Sequence, residues 1–234
     1  MKKLFVVMGA LDGEIEYFRK QLNHTKVISF HNNNFHKGSL KNHDVIIVRS
    51  GVGKVLSAMV TQFLIDNFKP DGLIFTGVAG AINDRINLGD IIVGKDTVQH
   101  DLDVTHFKFP RGQIPETPYR FIEADSKLYS AALEGKIENH SVLSGRILTG
   151  DQFISGKEIV KMRYLTEELN GDCVDMEGAS VSLVCKVNGI SHLVLRTISD
   201  RPGQEEKINI RTLLKESSRN SLSLVLQILD KIDK

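Results

Sequence analysis

The chain has 234 residues, of which 41% are hydrophobic and 25% charged, and its formal net charge is +1 at pH 7. This length suffices for one domain with a well-buried core, and we expect residues 1–234 to form a single domain. Because acidic and basic residues are interspersed, we expect no binding to nucleic acid or to a membrane surface. Every apolar run is shorter than the ~20 residues that a membrane span needs.

The N-terminal segment and the cysteines favour a cytoplasmic protein. The apolar run at 4–8 is too short for a signal peptide, and the acids Asp12 and Glu14 follow it closely. Cys173 and Cys185 both lie in apolar contexts, which is typical of buried thiols in a reducing compartment rather than of a disulfide framework.

Short apolar runs alternate with helical patterns along the chain. The predicted strands cover 4–9, 27–30, 35–39, 44–49, 73–77, 89–93, 142–149, 173–176 and 193–200. The predicted helices cover 12–22, 53–68, 157–165, 177–188 and 213–232. Residues 101–124 lack periodicity and predict a long functional or interfacial loop. The alternation indicates an α/β protein, a three-layer α/β/α domain with a central mixed, twisted sheet.

Three acidic residues follow predicted strands. Glu14 comes soon after the first strand, Glu177 closes the strand at 173–176, and Asp200 closes the strand at 193–200. The carboxyl ends of parallel strands face one crevice in an open α/β sheet, so these side chains are expected to converge. Each acid taken alone also fits a helix cap or a turn cap, and both interpretations stay open at this point.

Two glycine-containing segments lie near the same strand ends. Residues 50–54, Ser-Gly-Val-Gly-Lys, resemble the tail of a phosphate-binding loop, but Val55 stands where Ser or Thr would bind magnesium. A tight strand-to-helix turn is therefore favoured. Residues 76–81 are small and Gly-rich, which allows a ligand to approach the backbone closely. The eight histidines show no metal-like spacing, so we expect no metal and no cofactor.

Seven motifs occur together in a characteristic order. They are Ser-Gly-Val-Gly-Lys at 50–54, Phe-Thr-Gly-Val-Ala-Gly at 75–80, Gly-Asp-Ile-Ile-Val at 89–93, Asp-Val-Thr at 103–105, Gly-Asp-Gln-Phe-Ile at 150–154, Val-Asp-Met-Glu-Gly-Ala at 174–179 and Arg-Thr-Ile-Ser-Asp at 196–200. In these motifs the chain closely resembles the bacterial 5'-methylthioadenosine/S-adenosylhomocysteine nucleosidases of the nucleoside phosphorylase superfamily. The resemblance runs from about residue 4 to the C-terminal helix.

The resemblance implies a nucleoside phosphorylase-like fold and a hydrolase of methionine salvage that needs no cofactor. It would cleave the N-ribosidic bond of an adenosine thioether, releasing adenine. Asp200 would donate a proton to adenine N7, held by Ser199, while Glu14 would activate water with help from Arg196. An acid on one side of the scissile bond and a base on the other both stabilise charge that appears only in the transition state.

The resemblance also assigns binding residues. Glu177 would grip the ribose hydroxyls with Met176 under the sugar, and Phe153 would stack on adenine while the backbone of Ile154 reads its edge. It further assigns to substrate binding Val52, Val78, Asp175 and Ile210. Val104, Phe107 and Pro115 would line a pocket for the 5'-alkylthio group in a neighbouring subunit, which implies a homodimer.

Three departures from the family pattern bear on the site. Val78 stands where many members have a serine that helps to hold the catalytic water, so that water would depend on Glu14 and Arg196. Asp175 stands where Glu is common, and the segment at 208–210 lacks the aromatic residue often found there. The 5' group of the substrate therefore stays open, with 5'-deoxyadenosine and aminodeoxyfutalosine as further candidates.

Two other functions compete with hydrolysis. A phosphorylase of the same superfamily would need cationic side chains for phosphate in the loop after the first strand, but residues 10–14 are acidic and contain no Arg. A carboxylate aimed at the nucleophile repels phosphate and suits water. A non-catalytic nucleoside-binding module is the second alternative, and the presence of all three acids argues against it.

Overall fold

The computed structural model of the protein describes residues 2–30, 33–154, 156–159, 161–201 and 210–232. Within these residues the strands are β1 (Leu4–Gly9), β2 (Asn23–Phe30), β3 (Asn33–Leu40), β4 (His43–Arg49), β5 (Gly72–Ala81), β6 (Ile91–Gln99), β7 (Ile122–Glu123), β8 (Val142–Thr149), β9 (Cys173–Asp175) and β10 (Ser191–Asp200). The helices are α1 (Asp12–Gln21), α2 (Lys54–Phe68), α3 (Ser126–Leu133), α4 (Gly156–Ile159), α5 (Tyr164–Glu167), α6 (Gly178–Val187) and α7 (Ile210–Lys231).

All of these strands join one mixed sheet. Its order is β2-β3-β4-β1-β5-β9-β8-β6-β10, with β7 attached to β6, and β10 returns to pair with β5. The strands β5, β10, β6, β8 and β9 therefore form a closed ring, from which β1, β4, β3 and β2 extend. The pairs β1–β4, β1–β5, β5–β10, β6–β8 and β8–β9 are parallel, while the hairpins of β2, β3 and β4 are antiparallel.

Helices cover both faces of the sheet, which confirms the expected three-layer α/β/α arrangement. Successive side chains of a strand point to opposite faces, and in β1 Phe5 and Val7 pack with α1, α3 and α7. The alternate residues Val6 and Met8 pack on the other face with α2 and α6. In the part of the chain that is described, no helix has the length and apolar character needed to cross a membrane.

Two predicted elements differ from the structure, and one helix was not predicted. The helix predicted at 157–165 is two short helices, α4 and α5, separated by a turn near Met162, whose N–H bonds to both Glu158 O and Ile159 O. Helix α3 was not predicted, although Asp125 caps it by accepting hydrogen bonds from two backbone N–H groups. The predicted loop at 101–124 contains a short 3-10 turn at Thr105–Phe107 and the strand β7.

Candidate active site

The parallel strands bring four charged side chains from distant parts of the sequence together beside β5. Glu14 lies in the first turn of α1, directly after β1, and Glu177 lies between β9 and α6. Asp175 ends β9, and Arg196 lies in β10, the parallel neighbour of β5. All four residues are buried, with exposed fractions between 0% for Arg196 and 7% for Asp175. Such a group of buried charges requires mutual pairing, because an isolated buried charge is costly.

Glu14 is held by two backbone donors. Its Oε1 accepts the N–H of Val78 at 3.0 Å, and its Oε2 accepts the N–H of Leu11 at 2.8 Å. The second bond closes the N-terminus of α1, so the helix-capping interpretation of Glu14 is also correct. The carboxylate is nevertheless fixed on β5 beside Arg196, where capping alone would not place it.

Arg196 forms the centre of the cluster. Its Nε donates to Asp175 Oδ2 at 2.8 Å, and its Nη2 lies 2.7 Å from the same oxygen and 3.6 Å from Glu177 Oε2. The guanidinium carbon lies 4.3 Å from the centre of the Phe75 ring. Among the described residues neither Nη1 nor Nη2 makes a hydrogen bond, but Nη2 is ion-paired with Asp175 and Nη1 has no partner. A buried donor without a partner costs free energy, so Nη1 is available to a ligand or a water molecule.

Gly77 provides the space in which Arg196 and Glu14 approach each other. A methyl group on its Cα would lie 2.5 Å from Arg196 Nη1 and 2.6 Å from Glu14 Oε1. Both distances are shorter than any normal contact, so no other residue fits there without moving the two charged groups. The unpartnered Nη1 therefore lies on the same side of β5 as the Glu14 carboxylate.

Glu177 does not cap the helix that follows it. The first free N–H of α6, that of Gly178, is accepted by Asp175 Oδ2 at 3.0 Å. Glu177 Oε1 instead accepts the N–H of Gly53 at 2.9 Å, at the start of α2. The capping interpretation, which the sequence left open for Glu177, therefore belongs to Asp175.

The segment at 50–54 is a strand-to-helix turn, as the sequence favoured. Its backbone N–H groups hold carboxylates, because Gly53 donates to Glu177 and Lys54 donates to Asp151 Oδ1 at 2.8 Å. The Lys54 ammonium donates to Asp101 at 2.7 Å, and the N–H of Asp151 donates to the same carboxylate at 2.9 Å. The N-terminus of α2 thus joins the loops that begin at 101 and 150 to the acidic cluster.

Burial dominates the electrostatics of the two glutamates. It raises the pKa of the Glu14 carboxyl, although the Arg196 guanidinium and the backbone donors oppose the shift. Burial also raises the pKa of Glu177 to about 7, where Arg196 again opposes the shift and the neighbouring carboxylate of Asp175 adds to it. The site therefore contains one carboxyl group, that of Glu177, that titrates close to neutral pH, and a second, that of Glu14, whose pKa is raised.

Asp200 lies at the end of β10, beside the same strand. A bulge between Ile198 and Asp200 shifts the register, so that Asp200 pairs with Gly80 of β5. Ser199 Oγ donates to Asp200 Oδ1 at 2.7 Å and also lies 3.2 Å from Ala79 O. Within the described residues no hydrogen bond joins Asp200 to the buried cluster. Asp200 lies beside Gly80 of β5, whereas Glu14 and Arg196 of the cluster lie beside Gly77.

The remaining residues assigned to substrate binding differ in exposure. Phe153 is 72% exposed and Val52 is 46% exposed, so both side chains are free to contact a ligand or another chain. Ile154 is buried in a separate apolar cluster with Leu148 and Val174. Met176 and Val78 are half-buried. The side chain of Ile210 lies outside the described residues.

The three residues assigned to a partner-subunit pocket lie in the long loop after β6. Phe107 is 71% exposed, while Val104 and Pro115 are half-buried. Asp103 Oδ1 accepts both the N–H and the hydroxyl of Thr105, which fixes the turn on which Val104 and Phe107 lie. Among the described residues, the side-chain hydrogen bonds of Glu14 and Asp200 go to Leu11, Val78 and Ser199, and none goes to this loop.

Sequence reasoning missed Thr149 and the Asp101–Lys54–Asp151 contacts, and it included Gly77 only as part of the Gly-rich segment at 76–81, without its place between Glu14 and Arg196. Thr149 is fully buried, and its hydroxyl donates to Asp175 Oδ1. Its one signal was its position at the end of a predicted strand, directly before the Gly-Asp-Gln motif. No cluster of His, Cys, Asp or Glu in the described chain is arranged to hold a metal ion.

Comparison with known proteins identifies the family. A family model described as the phosphorylase superfamily matches residues 4–230. The chain belongs to this superfamily. It is 35% identical over 226 residues to a 5'-methylthioadenosine/S-adenosylhomocysteine nucleosidase of Bacillus pumilus, which covers 95% of this chain and 96% of the relative. It is 34% identical over 227 residues to an aminodeoxyfutalosine nucleosidase of Campylobacter jejuni, covering 97% and 98% of the two chains.

The fold agrees with a solved structure of the superfamily. A 5'-methylthioadenosine/S-adenosylhomocysteine nucleosidase of Colwellia psychrerythraea, crystallised with adenine, superposes with a TM-score of 0.90 at 32% identity and covers 99% of this chain and 96% of that one. The resemblance stated from the sequence motifs and the nucleoside phosphorylase-like fold are therefore confirmed.

Proposed function

We propose that this protein is a nucleosidase that hydrolyses the N-ribosidic bond of an adenosine thioether, 5'-methylthioadenosine or S-adenosylhomocysteine, to adenine and the 5'-substituted ribose. The observation that carries the proposal is the buried pair of Glu14 and Arg196. The pair places a carboxylate of raised pKa beside a guanidinium N–H that has no partner in the described chain. A water molecule at this position would accept from Arg196 and donate to Glu14.

The nucleophile is activated on the side of Glu14. The Glu14 carboxylate accepts one proton from the water while the water oxygen forms a bond to C1' of the ribose. Val78 contributes through its backbone N–H, which orients the Glu14 carboxylate, so its apolar side chain is compatible with this role. The water itself then depends on Glu14 and on Arg196 Nη1.

The leaving group is protonated on the side of Asp200. The adenine anion is a poor leaving group. A proton transferred from Asp200 to N7 lets the C1'–N9 bond break with adenine leaving as a neutral molecule. The Ser199 hydroxyl orients the Asp200 carboxyl group. Phe153 stacks on the base, and the backbone of Ile154 hydrogen-bonds to its edge.

The sugar is bound by the acid at the start of α6. Glu177, ionised, accepts the ribose hydroxyls, and Met176 packs beneath the ring. The positive charge that develops on the ribose in the transition state is stabilised by the nearby carboxylates of Glu177 and Glu14. Ionisation of Glu177 is linked to Arg196, which lies 3.6 Å from its Oε2.

The charge distribution favours water over phosphate as the nucleophile. A phosphate dianion at this position would meet the buried carboxylates of Glu14 and Glu177, and the one guanidinium there is already paired with Asp175. Such repulsion is strong in a buried site. Phosphorolysis is therefore the weaker candidate.

We further propose a homodimer whose subunits share the active site. Large apolar side chains are exposed around the start of α2: Val55 is 77% exposed, Phe153 72%, Phe107 71% and Met59 52%. The Asp101–Lys54–Asp151 contacts hold these segments next to each other. An apolar surface of this kind is typical of a protein interface. Val104, Phe107 and Pro115 of one subunit would then line the 5' pocket of the other.

The cellular setting follows from the same proposal. We place the protein in methionine salvage in the cytoplasm, as one nucleosidase domain. Cys173 and Cys185 are buried and unpaired, which supports a reducing compartment. The relatives named above include an aminodeoxyfutalosine nucleosidase, so that substrate and 5'-deoxyadenosine are included in the test.

The test is adenine release from all four nucleosides, with and without inorganic phosphate, in water labelled with ¹⁸O. Hydrolysis predicts release without phosphate and one ¹⁸O atom in the ribose product. Glu14→Gln should lower kcat by about 1,000-fold, since general base catalysis and transition-state charge stabilisation are both lost. Glu16→Gln, in the same helix, is the matched control and should keep full activity.

Two outcomes would contradict the proposal. Adenine release that requires phosphate and yields a ribose 1-phosphate would show a phosphorylase. No release from any nucleoside by the wild-type protein, together with tight binding of substrate analogues by Glu14→Gln and Asp200→Asn, would show a binding module.

A further inference from the structure

Thr149 is a buried residue outside the set that contacts substrate in the proposed function. It ends β8, and the parallel register of β8 and β9 places it beside Asp175. Its hydroxyl oxygen accepts the N–H of Ala179 at 2.8 Å. The Ala179 N–H is the donor in that bond, so the single hydroxyl proton of Thr149 remains for a second bond. Thr149 donates it to Asp175 Oδ1, which lies 2.5 Å from Thr149 Oγ1.

The Thr149 hydroxyl fixes one of the two carboxylate oxygens of Asp175. Oδ2 already accepts from Arg196 Nε and from the N–H of Gly178. Among the described residues Oδ1 receives a hydrogen bond from Thr149 alone. Without the hydroxyl, the carboxylate plane is held at one oxygen and gains freedom to rotate about its Cβ–Cγ bond.

The orientation of Asp175 in turn determines that of Arg196. Asp175 engages Nε and Nη2 on one edge of the guanidinium, and the Phe75 ring lies against its face. Nη1 is the guanidinium nitrogen that lies beside Gly77, on the side of the Glu14 carboxylate. A rotation of the Asp175 carboxylate therefore moves Nη1 relative to the Glu14 carboxylate.

We propose that Thr149 is a positioning residue of the nucleosidase reaction, which acts through Asp175 to aim Arg196 Nη1 at the water held by Glu14. This inference rests on the proposed function. It concerns the chemical step more than ground-state binding, because Thr149 is fully buried and its hydroxyl bonds to Asp175 and to the N–H of Ala179.

The test compares Thr149→Val with Thr149→Ser. Valine has nearly the same shape as threonine and lacks the hydroxyl, while serine keeps it. Thr149→Val should lower kcat for adenine release by about 10- to 100-fold with KM within about threefold, as expected when a group that acts only in the transition state is lost. Thr149→Ser should recover kcat to within about threefold of wild type.

A pH profile separates positioning from general structural damage. The charged side chains that act on Glu14 are Arg196 and Glu177, and Arg196 is the cation that opposes the effect of burial on its pKa. If Arg196 is less well placed, the acidic limb of kcat/KM moves to higher pH in Thr149→Val and returns in Thr149→Ser. Thr97→Val is the matched control, because Thr97 is buried with a hydroxyl that has no partner in the described chain.

Each outcome decides the inference. Wild-type kcat and pH profile in Thr149→Val would overturn it, and so would equal losses in the valine and serine variants. If Thr149→Val does not fold, Thr149→Ala measured against Thr149→Ser gives the same comparison. A wild-type protein that releases no adenine would overturn the proposed function itself, whereas an active wild type with an unaffected Thr149→Val overturns only the role of Thr149.

Discussion

Glu177 Oε1 accepts a hydrogen bond from the backbone N–H of Gly53 at 2.9 Å, across 124 positions of the sequence. The bond joins the acid after β9 to the first turn of α2. Gly53 adopts φ +94° and ψ 162°, a conformation that is essentially restricted to glycine. The geometry of the candidate ribose-binding acid thus depends on a strained backbone position in another element.

Gly53→Ala should weaken both folding and substrate binding. We expect the free energy of unfolding to fall by about 1–3 kcal/mol and KM to rise, because the strained backbone moves away from Glu177. Urea denaturation and steady-state kinetics measure the two effects. Gly189→Ala is the matched control. Gly189 has φ +69°, and a Cβ added to it would meet no atom within 4 Å, so the substitution should lower stability and leave KM unchanged. Equal KM values in the two variants would contradict the link to Glu177.

Gly77→Ala should remove activity through crowding alone. The added methyl group would lie 2.5 Å from Arg196 Nη1 and 2.6 Å from Glu14 Oε1, so one charged group must move. We expect kcat to fall by about 100-fold or more, and stability by about 1–3 kcal/mol from overpacking. Kinetics at saturating substrate with circular dichroism measure both. An alanine variant with wild-type kcat would exclude the proposed position of the water.

The raised pKa of Glu177 gives activity a definite pH dependence. Its pKa is about 7, and the ionised form is the one that accepts ribose hydroxyls, so kcat/KM should fall as the pH drops through about 7. The free energy of unfolding depends on pH in the opposite direction to kcat/KM. A carboxyl whose pKa is higher in the folded state binds more protons there, so it lowers stability as pH rises from its unfolded value to 7. Glu177→Gln should therefore lower activity and raise stability at pH 8.

The measurement is paired. Rate profiles between pH 5 and 9 and urea denaturation at the same pH values are compared for wild type and Glu177→Gln. A wild-type acidic limb near the ordinary glutamate pKa, with no change in stability on substitution, would show that Glu177 is not buried as described.

His192 makes folding sensitive to acid. It is 3% exposed, and burial lowers its pKa to about 4, so it is neutral in the folded protein. The unfolded chain binds its proton near pH 6.5, so the unfolded state is favoured as pH falls from 6.5 to 4, by roughly 3 kcal/mol in total. His192→Gln should lose this dependence. The difference between variant and wild-type unfolding free energies at pH 7.5 and 5.0 measures it, and a constant difference would refute the assignment.

The proposed dimer is tested by charge at its surface. Phe107→Asp should give a monomer in analytical ultracentrifugation and raise KM, because a buried unpaired carboxylate is costly at an interface. Val187→Asp is the control, since Val187 is 61% exposed at the end of α6 and lies outside the proposed interface. A fully active wild-type monomer at micromolar concentration would contradict the shared pocket.

Much of the fold could be predicted because local patterns determine it. The strands at Leu4–Gly9 and Val142–Thr149 have the predicted bounds, since continuous apolar runs indicate buried strands. On α2, however, the helical spacing of Leu56 and Val60 predicts one shared apolar face, and Leu56 is 44% exposed while Val60 is buried. Periodicity indicates which side of a helix is apolar, but it does not show how much of that side is packed against the rest of the protein.

The site was predictable to the extent that strand ends determine it. Three acids at strand ends could be found, because parallel strands share one carboxyl edge. The partners of those acids could not: the bonds from Gly53 to Glu177 and from Thr149 to Asp175 join residues far apart in the sequence. Such contacts depend on the register between strands and on the position of a helix, which single-chain patterns do not encode.

The closed ring of β5, β10, β6, β8 and β9 has an evolutionary consequence. Gly77, Arg196, Thr149 and Asp175 all belong to it, whereas Val104, Phe107 and Pro115 belong to a loop outside it. In the proposed dimer, substitutions in that loop would alter which 5' group of a nucleoside is accepted, while the proposed catalytic residues of the ring keep their arrangement. Under this proposal, the substrate preference can change during evolution by single substitutions in that loop, without any change in the ring.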